Sequence, residues 1–140
     1  MAGATENMRI FRSENFYRRM FLVGALWNLL GGLFILMATS WVFGRAGLQV
    51  PFPPLYYQAW IALFMTFGIG YYLVARDLFR NRDIASLGLV GKLAFSLIFI
   101  GNFLFFPGLI PRFFWIPVSG DLVFVVLFGM FLSFVRRMGK

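Results

Sequence analysis

Apolar residues run almost unbroken through four stretches of the chain, 20–43, 55–75, 84–106 and 117–135, and polar residues gather between them. A helix rises about 1.5 Å per residue, so about 20 apolar residues cross a hydrocarbon layer about 30 Å thick. The pattern therefore predicts four transmembrane helices. The first two stretches contain no charge, the third contains Lys92, and the fourth, the shortest, contains Asp121. Breakers mark the connections. Gly44-Arg45-Ala46-Gly47 and then Pro51, Pro53 and Pro54 separate the first two spans, because proline cannot continue a helix. A charged turn from Arg76 to Asp83 follows the second span, and Pro107-Gly108 through Pro111-Arg112 follows the third.

The placement of charge gives an orientation. Of the 13 Lys and Arg residues, ten fall on one side: Arg9, Arg12, Arg18, Arg19, Arg76, Arg80, Arg82, Arg136, Arg137 and Lys140. Arg45 and Arg112 fall on the other. Cytoplasmic loops collect Lys and Arg, so both termini are expected in the cytoplasm. The expected fold is an all-α membrane protein, an antiparallel four-helix transmembrane bundle. It has a cytoplasmic or interfacial segment over 1–19, a single transmembrane domain over 20–135 and a cytoplasmic tail over 136–140. Residues 9–19 read either as a short interfacial helix, with Ile10, Phe11, Phe16 and Tyr17 between arginines, or as a charged extension of the first span.

Composition narrows the chemistry. The chain is 61% hydrophobic and 13% charged, whereas a soluble domain carries about 25% charge. The net charge of +8 is accounted for by a basic face against anionic headgroups, so the expected partner is the lipid bilayer and not nucleic acid. A membrane protein partner or a second copy of the chain also fits so small a bundle. With no cysteine and no histidine, thiol catalysis, iron–sulfur clusters, the usual zinc sites and the commonest general base are excluded. No phosphate-binding glycine loop, paired carboxylates or metal-ligand spacing occurs, so no catalytic residue, metal or cofactor is assigned. Trp41, Tyr56, Tyr57, Trp60 and Trp115 near one boundary, with Tyr17, Tyr71 and Tyr72 near the other, read as interfacial belts. The 20 phenylalanines read as lipid-facing and packing residues in preference to a ligand cavity.

An ionisable side chain inside a span is costly and marks a functional candidate. Lys92 lies about 12 Å into the core counted from Ile84, with Gly88 and Ser96 one turn away on each side. Asn28 lies at similar depth on a face with Gly24, Gly31 and Gly32. The two could hydrogen-bond and fix helix registry, Lys92 could snorkel to the boundary, or the site could handle a ligand, ion or proton. Asp121 reads either as an intramembrane carboxylate or as a first-turn residue of a helix capped by Ser119. Counted depths place Lys92 and Asp121 about 9–12 Å apart along the membrane normal, which calls for a bridging water or ligand group. Ala62, Thr66 and Gly70, spaced by four, read as a helix-packing stripe.

The segments FYRRMFLVGALWNLLGG, ARDLFRNRD, LGLVGKL and SGDLVF, behind an arginine-rich start, resemble the DoxX-like small bacterial membrane proteins in architecture. Some members of that group are associated with membrane redox or stress systems, and the resemblance implies a bacterial inner membrane. It brings no catalytic signature. Three functions are left open. The first is a non-catalytic accessory or interaction subunit of a membrane system. The second is binding or transport of a small molecule, quinone, lipid or ion around Lys92, Asn28 and Asp121. The third is a membrane-embedded redox or other enzyme acting with a partner.

Overall fold

The computed structural model describes residues 2–108 and 110–139, with the side chains of 2–9, 11 and 12 left aside. The side chains of Arg9, Phe11 and Arg12, and Lys140 as a whole, which entered the charge and amphipathicity readings, lie outside what is described. Among the described residues there are five α-helices and no strand: α1 (Ala2–Met37), α2 (Thr39–Arg45), α3 (Leu55–Arg76), α4 (Arg82–Phe105) and α5 (Trp115–Arg137). A single 3-10 turn, Arg112–Phe114, leads into α5. Four segments, Ser13–Met37, Leu55–Arg76, Arg82–Phe105 and Arg112–Arg137, are long and apolar enough to cross a membrane.

Several boundaries differ from the sequence expectation. Of the two readings of residues 9–19, the extension of the first span is the one seen, because α1 runs without a break from Ala2. The first span does not continue smoothly to 43. It is interrupted at Ala38, next to Thr39, whose hydroxyl donates to the carbonyls of Ile35 and Leu36 at 2.9 and 3.0 Å. Such back-bonding to the preceding turn bends helices. After α2, Gly47 takes a positive φ of 68°, and its N–H and that of Leu48 close the last turn on Gly44 and Phe43. The fourth span starts at Trp115, two residues before Pro117, which sits in the first turn where its missing N–H costs nothing.

The helices pair as α1 with α3 and α4 with α5, with thinner contacts between the pairs. These contacts concentrate at the arginine-rich end. There Phe21 of α1 is fully buried against Phe128 and Phe131 of α5, each with ring centroids 4.8 Å away. Tyr71 of α3 meets Phe128 edge-on at 5.0 Å, and Tyr17 meets Phe131 at 5.3 Å. Leu78, Val74 and Ala85 complete this core with no exposed surface. Arg18 of α1 ties the same end, its Nη1 donating to the carbonyls of Ala75 and Arg76 at 2.8 Å each. The last carbonyls of a helix have no partner within it, so an arginine there completes α3.

The buried residues repeat at three- and four-residue steps, as an apolar seam should. On α5 they are Val118, Asp121, Phe124, Phe128, Phe131 and Val135. On α4 they are Ala85, Gly88, Lys92 and Ser96, so Lys92 is the one long side chain on a face otherwise built of small residues. Of the stripe expected at positions 62, 66 and 70, Gly70 packs against α4, where a Cβ would fall 2.9 Å from Ile84, and the other two do not pack. Ala62 and Thr66 are exposed, and the buried residues are Ile61, Gly68, Tyr71, Val74 and Ala75. The reason is local: Thr66 satisfies its hydroxyl on the Ala62 carbonyl at 2.8 Å and needs no neighbouring helix.

Candidate functional site

Above the aromatic core the two helix pairs separate around a half-open cavity of about 730 Å³. Ligand sites commonly measure about 300–1,000 Å³ and are apolar with a few polar groups. Phe64, Phe67, Phe95 and Phe99 form much of the wall. Trp60 lies nearly parallel to Phe64 and to Phe95, at 5.8 and 6.3 Å, and so spans the seam between α3 and α4. Trp27 of α1 lies against Gly120 of α5, where a Cβ would come within 3.0 Å of the indole. Sequence composition assigned the phenylalanines to lipid and packing. Here several of them line a cavity, which the position of each ring decides and residue type alone does not.

All three candidate residues line this cavity, together with Tyr71. Lys92 and Asp121 are each only 5% exposed, and the Lys92 Nζ donates directly to Asp121 Oδ1 in a buried ion pair. This corrects the 9–12 Å separation, and no bridging group is needed. Seven residues further along α4 and seven back from Asp121, Phe99 meets Phe114 at 5.4 Å, so the pair sits in the packing register of the two segments. Asp121 is also not in a capped first turn. It lies six residues inside α5, and Ser119 makes no cap, because the helix begins at Trp115.

Nor does Asn28 bond to Lys92. Its Nδ2 donates to the Phe64 carbonyl across to α3 at 2.9 Å, and its Oδ1 is buried without a hydrogen-bond partner. The direction of that bond follows from chemistry, since a carbonyl only accepts. Ser96, one turn beyond Lys92, likewise keeps a buried hydroxyl without a partner. Lys92 does not snorkel either. Its ammonium stays inside, 5.2 Å from the Phe124 ring centre and 5.7 Å from that of Tyr71, within cation–π range.

Sequence reasoning misplaced two rings of one interfacial belt: Tyr17, which is buried in the aromatic core, and Tyr71. The position of Tyr71 near a span end suggested an interfacial ring, yet it is 1% exposed and joins the aromatic core to the cavity floor. The available signal was Gly88: a Cβ there would fall 2.5 Å from Tyr71 Cε1 and 2.8 Å from its hydroxyl oxygen. A glycine in mid-helix marks a close approach. Tyr72, Trp41 and Tyr56 are exposed on the outside of the helices.

Among the described residues no group of three or more His, Cys, Asp or Glu could hold a metal ion. The arrangement offers instead one paired ammonium and carboxylate, two phenols, Tyr57 and Tyr71, and one carboxamide at the edge of an apolar space. Comparison with family models, with curated proteins and with solved structures finds no match.

Proposed function

We propose that this protein binds a membrane-soluble small molecule in the aromatic cavity, with the molecule's polar head at the Lys92–Asp121 pair. The observation that carries the reading is the placement of this pair, buried from water yet lining a cavity large enough for a ligand. A buried ion pair is a poor device for stability alone, because desolvation offsets the attraction of the charges. Intramembrane charges therefore point to a site.

In this reading the chain is an antiparallel four-helix bundle in a bacterial inner membrane, with both termini cytoplasmic. The ten-to-two distribution of Lys and Arg supports that orientation. The DoxX-like resemblance agrees with it. The accessory-subunit reading drew its weight from missing cofactor ligands, and the cavity now gives the binding reading an observation of its own.

The test is mass spectrometry of the protein released in native lipid particles, compared with Gly31→Leu. Gly31 lines the cavity, and a Cβ there makes ordinary contact with Phe64 at 3.6 Å, so a side chain can start there without a clash and take up cavity space. A lipophile bound to the natural chain and lost from the variant is the expected result. A cavity free of any ligand in a stoichiometric complex with another membrane protein would overturn the reading in favour of an accessory subunit.

A further inference from the structure

Resting on the binding reading above, we infer that the ligand is a neutral lipophile whose head is a hydroxyl, docked on the open side of the Lys92–Asp121 pair. Charge comes first. Lys92 and Asp121 are the charged residues among those lining the cavity, and each neutralises the other. An anionic ligand that took the ammonium would strand the carboxylate, and a cationic ligand that took the carboxylate would strand the ammonium. Where both groups are only 5% exposed, a stranded charge costs more than the new contact returns. The site therefore selects against formal charge.

Hydrogen-bonding capacity then selects the head. An ammonium has three donors, and Lys92 spends one on Asp121 Oδ1. The carboxylate is an acceptor only, and Oδ2 retains its lone pairs. The pair thus presents a donor and an acceptor side by side. A hydroxyl answers both, accepting from Nζ and donating to Oδ2, whereas an ether or a ketone answers only the donor. The walls set the body: Phe64, Phe67, Phe95 and Phe99 call for a hydrocarbon or a ring.

The experiment uses the full chain with Trp41→Phe and Trp115→Phe in lipid nanodiscs, so that tryptophan fluorescence reports Trp27 and Trp60 at the cavity. Four probes share one apolar tail: para-octylphenol, its methyl ether, para-octylbenzoate and para-octylbenzylammonium. The phenol is expected to bind about tenfold more tightly than the ether, the factor that one net hydrogen bond supplies. Both charged probes should bind more weakly than the ether. In the double variant Lys92→Met with Asp121→Leu, which removes both charges together, the phenol's advantage should fall below about twofold while the ether still binds. Equal binding of phenol and ether to the chain with the pair intact would overturn the inference and leave the cavity-binding reading standing. Tighter binding of either charged probe would overturn it as well. If no probe binds, the cavity-binding reading fails and takes the inference with it.

Discussion

The ring of Tyr71 occupies the space that a side chain at Gly88 would need, with Cε1 only 2.5 Å from where a Cβ would stand. This contact joins α3 to α4, where the two helix pairs meet, and it carries the floor of the cavity. Gly88→Ala must push a ring that is already fixed by Phe128 at 5.0 Å and by Phe67 at 6.2 Å. Overpacking of this kind costs about 1–3 kcal/mol. We expect Gly88→Ala to lower the unfolding midpoint in mild detergent, and Gly88→Ala combined with Tyr71→Phe to recover little of it, since the ring carbon makes the closest contact. Full recovery in the double variant would show that the hydroxyl alone was in the way.

Lys92 and Asp121 should behave as a unit. Removing one partner leaves a buried charge without its counterpart, and such losses run to about 3–5 kcal/mol. Lys92→Met and Asp121→Leu are each expected to destabilise by about that amount, and the double variant by far less than their sum. A double-mutant cycle read by denaturant unfolding measures the coupling. Additive effects would mean that the two groups do not sense each other.

How far the sequence reveals this site can be judged from the same two residues. Their positions stood out at once, as a lysine and an aspartate in otherwise apolar spans, and so did the polar Asn28. Their pairing did not, because depth was counted from Ile84 and Pro117. α4 starts at Arg82 and α5 at Trp115, and two extra residues at each start deepen each group by about 3 Å. The flexible four-carbon lysine stem, about 6 Å long, covers the remaining distance. The four spans were legible because a long apolar run has few alternatives. The cavity was not, because a phenylalanine reads the same whether it faces lipid, core or an enclosed space.

Arg18 offers a test of the tight end. Its guanidinium holds two terminal carbonyls of α3 from a different helix, so Arg18→Ala leaves both to solvent at a partly exposed site. A loss of about 1–2 kcal/mol is expected, with Arg18→Lys recovering part of it, since an ammonium can donate to both oxygens but stands one bond short of where Nη1 reaches. Comparison of the three unfolding midpoints decides this. No change on Arg18→Ala would mean that water serves those carbonyls equally well.

Orientation can be read chemically because the natural chain has no cysteine. A single cysteine placed at Lys140 should react with a membrane-impermeant maleimide only after the cytoplasmic face is opened. One placed at Arg45 should react on intact cells. The reverse pattern would invert the topology drawn from the arginines.

The ion pair also constrains how the chain is made. Lys92 belongs to α4, and Asp121 follows 29 residues later, on a segment the ribosome has not yet released when α4 reaches the translocon. Alone in the bilayer, the lysine weighs against α4 by about 3 kcal/mol on insertion scales. Its small-residue face, Ala85, Gly88 and Ser96, has little bulk of its own to offer lipid. The last two helices are thus best committed to the membrane together, as one hairpin, with the salt bridge closed before the lysine is released to the lipid phase. A chain stopped at Phe105 should leave α4 poorly inserted, and one carried through Arg137 should not.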